Sequence, residues 1–212
     1  PMGVLFCAII QEMAIPYFLE FAELYRQNGF PLYAVGGTCR DFLLGKEPND
    51  FDFVTSATPD QEKAFLPQAD YSFARFGSIK LKRDGQEIDI TTFRKEGGYK
   101  DFRHPSFIRF VLSPKIDSER RDFTINALYL DPDGKVLDFH GGMADLKNKI
   151  IRFIGDPETR IQEDPLRILR AERFAARLGF SFSPETGEAI ERLRPLLDKL
   201  NPEKVKEEIK KR

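Results

Sequence analysis

Two apolar runs, one ending in paired glycines and the next opening on paired aspartates, constrain this chain more than any other feature. The first is Pro31-Leu32-Tyr33-Ala34-Val35-Gly36-Gly37 and the second is Asn49-Asp50-Phe51-Asp52-Phe53-Val54-Thr55. Each reads as a short strand, with a helix of one or two turns from Cys39 to Lys46 between them. Glycines that follow a strand and open a helix let the backbone approach a phosphate closely. Arg40, one helical turn beyond them, can meet the same phosphate. Period-two alternation puts the side chains of Asp50 and Asp52 on one strand face, where they repel. A divalent cation is the natural compensation, and Mg²⁺ prefers carboxylate oxygens. Asp89, between Ile88 and Ile90, is a third acid in an apolar strand and is costly there unless partnered. Three such carboxylates can bridge two metal ions for in-line phosphoryl displacement. Taken alone, an Asp-x-Asp pair is common and reads more readily as a solvated strand face than as a metal site. The glycines and Arg40 ahead of it turn the reading toward a nucleoside-triphosphate site.

The rest of the chain divides by periodicity. Phe18, Phe21, Ala22, Leu24 and Tyr25 recur at helical spacing over residues 16–27, and Asn28-Gly29 stops that helix. Alternation around Asp84-Gly85 predicts a hairpin, and Asp133-Gly134 closes a second one. Residues 95–114 read as a loop followed by a strand, and 120–131 as a helix or a helix-to-strand unit. Val4 to Ile10 reads as the start of a buried helix. From Arg160 the pattern is helical to the end, broken at 179–184 and near Asn201-Pro202. The expected boundary lies near residue 155: a mixed sheet with flanking helices in 1–155, then an all-helical 156–212.

Composition narrows the class. The chain has 212 residues, 33 basic and 34 acidic, with a net charge of -1 and 41% apolar residues. These values exclude a disordered chain, a collagen-like repeat and a disulfide scaffold. No run approaches the roughly 20 apolar residues of a membrane helix. Cys7 and Cys39 are the only cysteines, which fits a reducing, cytoplasmic compartment. Net charge alone argues against a strongly basic nucleic-acid binder, but it counts neither bound Mg²⁺ nor chain beyond this sequence.

The segment from Tyr33 to Thr55 resembles motif A of the class II nucleotidyltransferases of the DNA polymerase beta superfamily, a family that includes tRNA CCA-adding enzymes and bacterial poly(A) polymerases. Glu119–Leu128 resembles its motif B, Leu137–Leu146 motif C, Glu163–Arg170 motif D and, more loosely, Asn201–Ile209 motif E. The resemblance implies an α+β, polymerase-beta-like head followed by a helical neck. It implies Mg²⁺-dependent addition of C, A or both, from CTP and ATP, to the 3′ end of tRNA, as in CCA-adding or A-adding enzymes. Asp50, Asp52 and Asp89 would be catalytic and would hold two Mg²⁺ ions. Gly36, Gly37, Arg40, Arg121, Asp122 and Asn126 would meet ribose and phosphate. Glu163, Asp164, Arg167 and Arg170 would recognise the base.

The base choice also follows from hydrogen-bond chemistry. A carboxylate accepts from the exocyclic amine of C or A, while a guanidinium donates to the neighbouring ring atom; G and U present the opposite pattern. From their spacing, Asp164 and Arg167 share a helix face, with Glu163 steadying Arg167. Asp164-Pro165 also reads as a helix cap, and both readings can hold on different lone pairs. Gly97–Pro105 resembles the flexible loop of enzymes that add A, and Asp101 and Arg103 are expected to contact the base-reading helix as the site switches. No Gly-Arg-Arg-Phe signature of poly(A) polymerases is visible. A poly(A) polymerase, or a nucleotide- or RNA-binding fragment inactive alone, is the alternative. The chain stops just after motif E, so the family's body and tail domains are expected to be missing.

Overall fold

The computed structural model describes residues 15–48, 50–98 and 107–210. They form two compact units, and the chain crosses between the two repeatedly instead of changing once. The first takes residues up to Lys95 together with Arg109–Ser118 and Leu128–Phe139; the second takes Glu96–Ile108, Glu119–Ala127 and His140 onward. The stretch from Val4 to Ile10 lies outside the described residues.

The first unit begins with helix α1 (Phe18–Gln27). Its buried face is Phe18, Phe21, Ala22 and Tyr25, the predicted stripe. Gly29, at φ +82, ends it: the Gly29 and Phe30 amides donate back to the carbonyls of Arg26 and Tyr25. Strand β1 (Leu32–Ala34), helix α2 (Gly36–Leu43), strand β2 (Phe51–Thr55) and helix α3 (Pro59–Glu62) follow. A capping box, Thr58 with Gln61, starts α3. Strands β3 (Ser78–Arg83) and β4 (Gln86–Thr92) make the predicted hairpin. Asp84 at φ +50 and Gly85 at φ +80 supply its two left-handed turn residues. Strands β5 (Arg94–Gly97) and β6 (Phe107–Phe110) form a two-stranded ribbon.

After α4 (Pro114–Glu119), strands β7 (Leu128–Leu130) and β8 (Val136–Asp138) complete a six-stranded sheet in the order β3-β4-β2-β1-β7-β8. The sheet is mixed: β2 and β4 run parallel and the other neighbours antiparallel. Alternation gives it two faces. Phe53 meets Phe18 of α1 at 5.2 Å between ring centroids, and Ile88 and Ile90 are fully buried. Val54, on the opposite face, joins Val35, Phe93 and Tyr129 in a second cluster. Each large side chain buried this way contributes about 1.5–3 kcal/mol.

In the second unit, residues 120–123 run irregularly into a single 3₁₀ turn at Thr124–Asn126, and the strand β7 follows directly. The helix-to-strand expectation for this stretch is therefore met by one turn only. Helices α5 (Gly142–Asn148), α6 (Pro157–Glu163), α7 (Leu166–Leu178), α8 (Pro184–Leu193) and α9 (Pro202–Lys210) make up most of this unit. Strands β9 (Ile150–Ile151) and β10 (Ser181–Phe182) pair in parallel, so the break at 179–184 has structure of its own. Phe123 packs on Phe153 and Phe174, at 4.9 and 5.7 Å between centroids. Among the described residues, no helix is long and apolar enough to cross a membrane.

Candidate active site

The glycine turn and the aspartates are tied together by a residue that the sequence reading passed over. Thr38 is fully buried. Its hydroxyl donates to the Asp50 carbonyl at 2.8 Å and accepts from the Asp52 amide at 2.7 Å. One side chain in the first turn of α2 thus fixes the backbone that carries both acids. Gly36 sits at φ +64, and a Cβ there would stand 3.4 Å from Asp52 Oδ2. Glycine meets both demands, the left-handed backbone and the close carboxylate.

Asp52 lies on β2 directly beside Asp89 of β4 in the parallel register. The next strand puts Lys80 beside Asp89, so Lys80, Asp89 and Asp52 form one row across the sheet. Asp50 departs from expectation. It is exposed and lies in a bend just before β2 instead of on the strand, because pairing begins at Phe51. Burial pushes the Asp89 carboxyl above the usual range. Lys80 opposes the shift, while the charges of Glu87 and Asp50 add to it. Lys80 Nζ stands 3.4 Å from Asp89 Oδ1, an oxygen that is buried and takes no hydrogen bond from any described residue. Among the described residues, no group of three acidic, histidine or cysteine side chains is already gathered to hold an ion.

Arg40 also differs from the open phosphate ligand expected of it. It is 2% exposed, and its guanidinium pairs with Asp41 at 2.8 Å. Its Nη2 lies 3.6 Å from where a Gly37 Cβ would be. The side chain therefore turns back beneath the glycine turn.

In the second unit, Asp164 falls between α6 and α7, in extended backbone, so it does not share a helix with Arg167. Its two oxygens divide the work. Oδ1 accepts the first amide of α7, that of Leu166, at 3.1 Å, and Oδ2 accepts Arg170 at 2.8 Å. Arg167, 4% exposed, donates to Glu163 Oε2 and to the Arg160 carbonyl, both at 2.6 Å. Glu163 steadies Arg167 as its spacing suggested. Arg160 also pairs with Glu163 at 2.6 Å, and it donates to the carbonyls of Arg120 and Arg121. It was not singled out in the sequence, although its spacing of three from Glu163 was a visible signal.

Arg170 is turned inward, toward Asp164 and, at 3.6 Å, Asp122. Burial works against its charge, yet those carboxylates outweigh burial and hold its pKa above the ordinary value. Asp122 also accepts from its neighbour's amide at 2.8 Å and from Asn126 at 3.5 Å. Asp101 and Arg103 lie outside the described residues.

The head-domain model described as "Poly A polymerase head domain" matches residues 32–152. The chain is 43% identical over 183 residues to a CCA-adding enzyme of Lactobacillus helveticus, covering 86% of this chain and 46% of that one. It is 42% identical over 185 residues to a CCA-adding enzyme of Bacillus pumilus, covering 87% and 46%. Its fold matches the CCA-adding enzyme of Bacillus stearothermophilus solved with CTP, with a TM-score of 0.83 and 35% identity over 93% of this chain and 48% of that one. It also matches a tRNA nucleotidyltransferase solved with a primer tRNA and an incoming ATP analogue, with a TM-score of 0.72 and 33% identity over 89% and 54%. The chain spans about half the length of the curated relatives it matches. With the head-domain match covering more than half of its residues, this chain belongs to the class II family of tRNA nucleotidyltransferases and poly(A) polymerases.

Proposed function

We propose that this chain carries the catalytic head (1–155) and helical neck (156–212) of a template-independent RNA nucleotidyltransferase that adds C, A or both to the 3′ end of tRNA. The observation that carries the reading is the register of Asp52 against Asp89, with Thr38 tying that strand to the glycine turn. Relatives solved with CTP, and with primer tRNA and an ATP analogue, support CTP, ATP and the tRNA end as ligands. A cytoplasmic location belongs to the same proposal.

The residues fit a divalent cation. The donors are all carboxylate oxygens, one of them a buried oxygen of Asp89 without a hydrogen bond, and the exposed Asp50 side chain is free to turn toward them. Asp50, Asp52 and Asp89 would hold two Mg²⁺ ions, which when bound supply charge neutralisation at the α-phosphate and the leaving pyrophosphate. Gly36 and Gly37 would turn backbone amides toward the phosphates, with Arg40 adding positive charge from beneath. Arg121, Asp122 and Asn126 would hold the ribose and phosphate. Asp164 keeps acceptor capacity beyond its bonds to Leu166 and Arg170, enough for the exocyclic amine of C or A. Arg167, held by Glu163, would donate to the adjoining ring atom, and Arg170 would hold Asp164 in its orientation. Asp101 and Arg103 remain the proposed loop contacts.

The test is a substrate panel with Mg²⁺ and labelled CTP or ATP. A tRNA lacking its terminal CCA is expected to gain C and then A, and an unrelated RNA to gain nothing. Long adenosine tails on the unrelated RNA would contradict tRNA specificity and favour poly(A) synthesis.

A further inference from the structure

Exposed rings and cations form a connected patch at one edge of the six-stranded sheet, beside the carboxylate row. Phe73, Phe76 and Phe110 are 46%, 37% and 37% exposed, high values for such large apolar side chains. The patch is built, not incidental. Gly77, at φ +79, has no room for a Cβ, because the Phe110 ring would lie 2.6 Å from it. That glycine lets the edge of the ring sit against the backbone, while the ring stays part-exposed. Arg94 donates to the Phe76 carbonyl and so fixes the same turn. Cations cover two of the rings. The Arg75 guanidinium lies 4.4 Å from the Phe76 centroid, and Lys80 Nζ lies 5.9 Å from that of Phe73. Lys80 is also the neighbour of Asp89, so the patch reaches the carboxylates through one side chain.

We propose that this patch is a stacking platform for single-stranded RNA, receiving the unpaired nucleotides that lead to the reacting 3′ end. Aromatic faces interleaved with cations are what a flexible nucleic-acid strand needs: rings to stack bases and positive charge to follow phosphates. An apolar protein partner would use the rings but would have to bury Arg75 and Lys80, at a desolvation cost. The identity of the occupant rests on the nucleotidyl-transfer reading, so CTP binding is followed in parallel to separate the two.

The chain has no tryptophan, which makes Phe76→Trp a unique reporter. A short single-stranded RNA ending in cytidines is titrated into the full chain. The Phe76→Trp emission is expected to be quenched on saturation, with RNA affinity at least that of the parent. Phe73→Ala and Phe76→Ala are each expected to weaken RNA binding about ten-fold, within the range for a stacked base. Arg75→Gln is expected to make the slope of log affinity against log salt shallower by about one unit. CTP affinity is expected to stay unchanged in all of these variants. Unaltered RNA affinity in the two alanine variants, or full retention of binding by Phe76→Leu, would overturn stacking. The second result would mark the patch as an apolar contact instead. Loss of CTP binding in the parent chain would strike at the nucleotidyl-transfer reading and leave the RNA measurement to judge the patch.

Discussion

Glu62 shows how one buried residue sets a pH dependence. It is fully buried beneath α1, where it accepts the Tyr25 hydroxyl at 2.5 Å. Burial pushes its carboxyl up to about 7, against a partial opposing pull from the Tyr25 hydrogen bond. A raised carboxyl favours the folded protein while protonated, and that advantage is lost as pH rises toward 7. We therefore expect unfolding free energy to fall between about pH 4.5 and pH 7, by on the order of 3 kcal/mol. Glu62→Gln should flatten the profile over that interval, as read from denaturant melts at several pH values. An equally steep profile in the variant would reassign the effect to other groups. Gly36 makes the second residue-scale prediction. Gly36→Ala forces a side chain into left-handed backbone beside Asp52, at a cost of about 1–2 kcal/mol. It should lower both the thermal midpoint and CTP affinity.

At the scale of elements, α2 and β2 act as a pair because of Thr38. Thr38→Val keeps the shape but leaves the Asp52 amide and the Asp50 carbonyl without their partner, which costs about 1–3 kcal/mol. The thermal midpoint should drop by roughly 2–4 °C for each kcal/mol. Incorporation should slow more than CTP binding weakens, since the carboxylates loosen while the glycine turn stays. Equal losses in binding and rate would mean that Thr38 serves only the fold.

Much of this was legible in the sequence. Period-two alternation around Asp84-Gly85 predicted the β3-β4 hairpin, and equal steps outward from that turn set Lys80 opposite Asp89. The glycines that open α2 and the five ordered motifs were equally visible. What stayed hidden was tertiary. Nothing local says that β4 pairs in parallel with β2, which is what brings Asp89 to Asp52. Nothing local turns Arg40 and Arg170 inward to carboxylate partners. Asp164 misled for a local reason: the i, i+3 spacing to Arg167 suggested one helix, but the chain breaks before Pro165.

For the whole molecule, the near-zero net charge conceals a division of chemistry. The acid row lies in the first unit and the alternating Arg and acid network in the second. The second unit yields a specificity prediction. Arg167→Ala should relax discrimination against UTP and GTP by about ten-fold or more, the loss of one oriented hydrogen-bond donor at a buried site. It should leave the Asp52 chemistry intact. Competition titrations with the four nucleotides read this directly, and unchanged selectivity would remove the base-reading role.

We propose that the Asp52-Asp89 row performs nucleotidyl transfer. This role is tested most directly by single-turnover incorporation of labelled CTP into tRNA lacking its terminal CCA, comparing the parent chain with Asp52→Ala at saturating CTP. The variant is expected to bind CTP within a few-fold of the parent, keep its fold by circular dichroism, and incorporate at least about a thousand-fold more slowly. Incorporation by Asp52→Ala at the parent rate would contradict that role.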